Sequence, residues 1–367
     1  MDKEMYLVLE NGEVFKGKSF GAEIDTKDAT MGEVVFTTGM AGYLETLTDP
    51  SYCGQIVVQT FPLIGNYGLI PSDFESRKCY LKAYIVREWC QEPSNFRSEG
   101  AIDTFLKEQG IVGLYGLDTR RLTRTLRENG TMNGCIVSEE KRIPEALEAA
   151  KGCHPQGLVQ EATCPRNYAE GPEDSKYHVT LVDLGMTDCF KRYLLERGAR
   201  VHVVGAYTKA EEILKDHPDG ILLSNGPGSP EAEPEILAEV KKLAESGVPI
   251  FGIDLGHLML AGALGGKLTK LRHGHRGANQ PVRYLPTGRV YISSQNHGYA
   301  VDMDGLPQGA KATFVNLNDG TCEGLSYEGI PALSVQFRPG NDEGMVDTGF
   351  LFDQFMQMME VDANAAE

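Results

Sequence analysis

Period-two alternation dominates the first part of this 367-residue chain, and period-3.6 patterns alternating with short apolar runs dominate the second. Tyr6-Leu-Val-Leu-Glu10 and Glu13-Val-Phe-Lys-Gly17 flank Asn11-Gly12, a dipeptide suited to a tight hairpin turn. Strand-like runs follow at Glu33–Thr37, Gln55–Gln59 and Leu81–Val86, with helical spacing at 101–109 and 118–129. Residues 1–150 therefore read as a mixed α/β domain rather than a dinucleotide-binding one. Over 151–177 the periodicity disappears and Gly, Pro, Asn, Asp and Glu collect, which predicts a linker.

From 178 the pattern becomes regular. Strands are predicted at His178–Asp183, Val201–Val204 and Gly220–Ser224, and helices at 188–197, 208–215 and 231–246. In the last helix Ile236, Leu237, Val240 and Leu243 share a face. Elements alternating at this length predict a doubly wound, mostly parallel sheet over 178–367, closed by a helix at 345–360. Within it, Val248-Pro-Ile-Phe251 reads as a buried strand and His257-Leu-Met-Leu-Ala-Gly-Ala263 as the start of a helix. Gly252 and Gly256 flank the sharp turn between them, which lifts one side chain beside a helix N-terminus. Enzymes built on such an elbow carry Ser or Cys at its tip. Here the residue is Asp254.

Composition narrows the field. A 41% hydrophobic content over this length supports two cores. A formal charge of −17 argues against nucleic acid or an anionic membrane as partner. No run approaches the ~20 apolar residues that span a bilayer, and Met1–Glu10 lacks a signal-like apolar stretch, so the cytoplasm is expected. The eight cysteines are scattered and expected to be reduced. Cys153-His154 with Cys164, and His273-x-His275, lack the spacing of a four-ligand zinc module, so no metal is expected. Two Gly-rich segments fail as nucleotide sites. Ser224-Asn-Gly-Pro-Gly-Ser-Pro230 is followed by Glu231 where a dinucleotide fingerprint needs its third glycine, and Ala261–Leu268 departs from a P-loop at both ends. Neither ATP nor NAD is expected on this chain. Asn225-Gly-Pro-Gly228 instead predicts a strand-to-helix turn beside the elbow, the two loops forming a crevice of N–H donors.

Leu223–Pro230, the elbow 251–257, Ser294-Gln-Asn-His-Gly-Tyr-Ala-Val-Asp302 and Ser334-Val-Gln-Phe-Arg-Pro339 resemble the ordered motifs of class I glutamine amidotransferases. Gly39–Tyr52, Asp118-Thr-Arg-Arg-Leu-Thr-Arg124 and Gly274-His-Arg-Gly-Ala-Asn-Gln-Pro281 resemble the small, glutaminase subunit of carbamoyl-phosphate synthetase. The similarity spans essentially the whole chain. It implies a docking role for residues 1–150 and a large-subunit partner that holds ATP and Mg, consumes bicarbonate and receives ammonia through a tunnel. It also implies a place in pyrimidine and arginine biosynthesis. In the family a thiolate at the elbow attacks the glutamine amide, and a histidine oriented by a glutamate two residues later relays protons. The matching positions here are Asp254, Arg338 and Gly340, and the elbow helix's substrate-binding glutamine is replaced by Leu258. Gly226 with the N–H of Leu255 matches the oxyanion hole. Ser51, Gly228, Asn296, Gly298 and Tyr299 match substrate-contacting positions, Tyr299 standing for the usual Phe.

These departures predict lost hydrolysis. Carboxylate attack on an amide forms a mixed anhydride uphill while expelling a poor leaving group, and a guanidinium at 338 cannot supply the missing proton. An ion pair between Asp254 and Arg338 is expected to plug the site. His257 and His297 are expected to be structural, and the helix bearing Arg120, Arg121, Arg124 and Arg127 to be a partner interface. The leading expectation is a glutaminase-silent small subunit supporting carbamoyl phosphate synthesis from free ammonia. Ordinary glutamine-dependent synthesis, and a paralogue outside the pathway that scaffolds or senses a glutamine-like molecule, stay open as alternatives.

Overall fold

The computed structural model describes residues 3–340 and 346–365. It divides into two units, Met1–Leu158 and Val159–Glu367. In the first, Asn11-Gly12 forms the expected turn. Gly12 takes φ 89°, the Leu9 N–H bonds the Glu13 carbonyl at 2.9 Å, and Glu4–Leu9 pairs antiparallel with Val14–Gly21. These two strands belong to a closed barrel that continues through Val112–Tyr115, Ala83–Ile85, Gln55–Gln59, Thr30–Thr37 and Met132–Val137. Val34, Ile56, Val58 and Ile85 pack on one side of the barrel wall, and Val35, Val57 and Tyr84 on the other. The alternation finds most of these strands but not their partners, so closure is new information.

The second unit is built on a ten-stranded sheet. Its parallel part runs Ala199–Gly205, Tyr177–Asp183, Gly220–Leu223, Ile250–Ile253, Ala332–Val335. Antiparallel strands extend both edges: Tyr168–Glu170 on one, then Cys322–Tyr327, Ala310–Asn316, Leu268–Tyr284 and Val290–Val301 on the other. Strand alternation feeds two cores. Ile221, Leu223 and Ile250 pack under the helices Pro234–Glu245 and Leu255–Ala263, while Leu222 and Phe251 pack under Asp188–Glu196 and Phe350–Ala365. The stretch expected as a linker carries structure of its own. It holds the helix Leu158–Ala162, whose Val159 joins the first of these cores, and the edge strand Tyr168–Glu170. Three residues of strand are too few for periodicity to register. The closing helix runs Phe350–Ala365, and position 345 of its expected span lies outside the described residues. Among the described residues no helix is long and apolar enough to cross a membrane.

Candidate functional site

At the carboxyl end of Ile250–Ile253 the chain turns through Asp254 (φ 54°, ψ −108°) directly into the helix Leu255–Ala263. Besides Asp254, only His217 among the described non-glycine residues has positive φ. Both flanking glycines are steric necessities. A Cβ on Gly252 would stand 2.8 Å from the Gly256 carbonyl oxygen, and one on Gly256 would stand 2.2 Å from that of Leu223. The elbow is thus pressed against the end of the neighbouring strand, with the Gly256 N–H bonded to the Ser224 carbonyl at 3.0 Å. Leu255 opens the helix, where an N–H has no intrahelical acceptor.

The facing loop is held as firmly. Asn225 Oδ1 accepts the Thr187 N–H at 2.9 Å, Ser224 Oγ accepts the Leu184 N–H at 2.9 Å, and Asp183 Oδ1 accepts the N–H groups of Gly185 and Met186 at 2.9 and 2.7 Å. A Cβ at Gly226 would strike the Leu184 carbonyl oxygen at 2.3 Å and Leu255 Cδ2 at 2.9 Å. Gly226 is therefore packed between the Leu184 carbonyl and the Leu255 side chain. Gly228, at φ 85°, is exposed on the same loop.

The third wall continues the strand Ala332–Val335. The Asp254 N–H donates to the Val335 carbonyl at 2.8 Å and the Arg338 N–H to that of Ser294 at 3.0 Å, which ties this segment to both neighbours. Val335 and Phe337 enter the core, while Ser334 bonds His257 of the elbow helix and Gln336 bonds Asp254 at its tip. Gln336 Nε2 donates to Asp254 Oδ1 at 3.1 Å. Asp254 and Arg338 are both buried, at 2% and 6% exposure. Gln336 is a site residue that the sequence motif contains but does not single out. Gly340 takes φ 63°, and a Cβ there would meet the Tyr193 ring at 3.0 Å, so this position opposes any side chain. Leu258 is buried in the apolar cluster with Leu255, Met259 and Val301.

The strand Val290–Val301 supplies Asn296, Gly298 and Tyr299, the last two partly exposed. Its His297 is buried. Nδ1 lies 2.7 Å from the Tyr299 carbonyl and Nε2 3.1 Å from Gln295 Oε1, and burial followed by the charges of His275 and Arg276 drives its pKa far down. His257 has no exposure, is held neutral by burial with its pKa pushed to about 3, and bonds Ser334 Oγ through Nδ1 at 2.7 Å. Ser51 sits in the first unit, in the turn Pro50–Tyr52, with its N–H on Asp49 Oδ1 at 2.9 Å.

A doubly wound sheet, a glycine-flanked elbow and an opposed N–H loop at adjoining strand ends define a class I glutamine amidotransferase domain, and residues 180–358 match the glutamine amidotransferase class-I family. Residues 7–136 match the carbamoyl-phosphate synthase small chain, CPSase domain. The chain is 46% identical over 357 residues to the carbamoyl phosphate synthase small chain of Fusobacterium nucleatum, covering 96% of this chain and 98% of that one. It is 46% identical over 355 residues to that of Listeria monocytogenes, with 96% of each chain covered. The chain belongs to the carbamoyl-phosphate synthase small-chain family.

Proposed function

We propose that this small chain docks a carbamoyl-phosphate synthase large subunit and supports synthesis from free ammonia without hydrolysing glutamine itself. The observation that carries the reading is the elbow: a buried carboxylate, hydrogen-bonded to Gln336, stands where the family's chemistry needs a thiolate. Three further features favour it. Arg338, the residue matching the proton-relay position by resemblance, is buried, Gly340 lies against Tyr193, and Leu258 is packed into the core. The glycines that shape the elbow and its facing loop, Gly226, Gly252 and Gly256, are in place, so the proposed loss is one of reacting groups. Pairing of Asp254 with Arg338 is part of this proposal. It fails if an experimental structure places the two side chains more than ~4 Å apart with no bridging water.

The deciding measurement is ammonia release from glutamine by the purified chain with a large subunit present, beside synthesis from ammonium. Synthesis should proceed from ammonium and not from glutamine. Replacing Asp254→Cys, Leu258→Gln and Arg338→His should restore glutamine turnover by about 10³-fold or more over the unmodified chain. Adding Gly340→Glu raises it further only if Tyr193 yields space. Efficient glutamine use by the unmodified chain would overturn the proposal. Failure to co-purify with a large subunit would favour a ligand-sensing or scaffolding paralogue, as would glutamine binding without turnover in such an unpartnered chain.

A further inference from the structure

Behind the substrate wall, three adjacent strands bring together side chains that lie far apart in the sequence. His275 comes from Leu268–Tyr284, His297 from Val290–Val301 and Glu323 from Cys322–Tyr327. One ligating atom from each lies within 4.8 Å of the others, and all three residues are buried. His275 was visible in the sequence only as half of His273-x-His275, a pair with no further ligand at module spacing.

The hydrogen bonds fix which ring nitrogens point inward. A carboxylate and a backbone carbonyl can only accept. His275 Nε2, 2.9 Å from Asp319 Oδ2, is therefore its N–H end, and His297 Nδ1, 2.7 Å from the Tyr299 carbonyl, is that ring's N–H end. The opposite nitrogens turn to the cluster; His275 Nδ1 stands 3.3 Å from Glu323 Oε1, where it gives a second N–H to the carboxylate when no ion is bound and where a metal ion would take that proton's place. Gln295 Nε2 donates to Glu323 Oε2 at 3.0 Å and to Ser293 Oγ at 3.1 Å, which turns the amide oxygen toward His297 Nε2 at 3.1 Å. Asn316 Nδ2 is the nearby donor, 2.9 Å from Glu323 Oε1 and 3.4 Å from His275 Nδ1, and it does not serve the His297–Gln295 pair. His297 Nε2 faces the Gln295 amide oxygen, an acceptor.

We propose that His275 Nδ1, His297 Nε2, Glu323 and the Gln295 amide oxygen form a binding site for one divalent transition-metal ion of the zinc type. A tetrahedral ion with bonds of ~2.0–2.1 Å separates its ligands by about 3.3 Å, and two ligand pairs here stand at 3.3 and 3.1 Å. Each imidazole already gives its other N–H to a carboxylate or carbonyl, the arrangement that orients metal-bound histidine. Two imidazoles, a carboxylate and an amide oxygen suit zinc better than magnesium or calcium, which prefer all-oxygen shells. Asp319, the partner of His275, is the part of this network nearest solvent, its side chain 42% exposed. The ion would brace the site wall from behind. His297 is flanked by Asn296 and Gly298, and the Glu323 carbonyl accepts the N–H of Gln336, the partner of Asp254, at 3.0 Å. The inference does not depend on whether glutamine is hydrolysed.

The test uses the full chain, stripped with a chelator and titrated with zinc chloride. One zinc per chain should survive desalting and raise the melting temperature. Asp319→Asn should weaken binding about 10–100-fold, and Glu323→Gln and His297→Asn should abolish stoichiometric retention. Replacing Cys153→Ser, next to His154, should change nothing. Cobalt(II) in the unmodified chain should give the intense visible bands of a tetrahedral nitrogen–oxygen site, a readout that stands even if the variants fold poorly. Absence of retained zinc, equal retention in Glu323→Gln, or a thiolate-to-cobalt charge-transfer band would each overturn the assignment.

Discussion

Asp254 carries two penalties in one residue, a positive φ without glycine and a carboxylate at 2% exposure. Strain of this kind costs on the order of 1–3 kcal/mol and persists where the surroundings over-determine it. Here the Val335 carbonyl holds its N–H, the Gln336 amide holds its carboxylate, and two glycines leave room for the turn. The elbow and its tip were legible because Gly252, Gly256 and a short apolar run declare a sharp strand-to-helix turn. Gln336 was not, because its side of the strand is defined only once Val335 and Phe337 are seen in the core. The Tyr193 ring against Gly340 was equally hidden, since the contact joins positions 147 apart in the sequence. His257 gives the residue scale its prediction. Its pKa falls from about 6.5 to about 3 in the folded chain because burial penalises the charged ring. Between those values the unfolded chain takes up a proton that the folded chain refuses. This stability term is therefore full above pH 6.5 and is lost on acidification, by roughly 4 kcal/mol at pH 3. Thermal melts across that range should show the decline, and His257→Asn should flatten it. An unchanged slope in the variant would assign the decline to other groups.

Among the elements, the helix Thr119–Asn129 was readable almost to its ends. Asp118 caps it by accepting the Arg121 N–H at 2.9 Å, and Leu122 and Leu126 are its buried stripe. The structure separates its arginines. Arg121 is engaged internally, 2.9 Å from Glu13 and over the Phe15 ring at 4.8 Å. Arg120, Arg124 and Arg127 instead line an open cleft of about 870 Å³ with Arg87, Thr60 and Thr123. On a chain of net charge −17 such a cleft suits an acidic partner surface. Reversing all three, Arg120→Glu, Arg124→Glu and Arg127→Glu, should weaken association with a large subunit by about tenfold or more while the melting temperature holds. Arg121→Glu should instead lower the melting temperature. Undiminished co-purification of the triple variant would remove the cleft from the docking surface. By contrast, the long strands Leu268–Tyr284 and Val290–Val301 were illegible as a pair. Their register shifts between Lys270 and His275 and again between Gly277 and Gln280, which breaks the alternation a reader would follow.

For the whole molecule, the sequence shows two fold types but places their boundary too loosely. Loss of apolar period over 151–177 was read as a linker, although a helix and an edge strand there need only a few buried positions, Val159 and Ala162 among them. Between the helices Ile143–Lys151 and Leu158–Ala162 the irregular stretch is short, and within it His154, Pro155, Gln156 and Gly157 are exposed. Each side of it owns a core. Leu7, Val34, Ile56 and Leu114 belong to the barrel, and Leu181, Phe251, Phe337 and Phe352 to one face of the sheet. Limited proteolysis should therefore cut first within 153–157 and leave two fragments that resist further digestion, because exposed irregular backbone is cleaved ahead of paired strands. Both fragments should keep far-ultraviolet circular dichroism and melt cooperatively once separated. Early cleavage inside the barrel or the parallel sheet, or collapse of either fragment on separation, would show that the two cores depend on each other for stability. Independent cores would also let substitutions around the elbow, such as Asp254→Cys with Arg338→His, leave the melting of the barrel fragment unchanged.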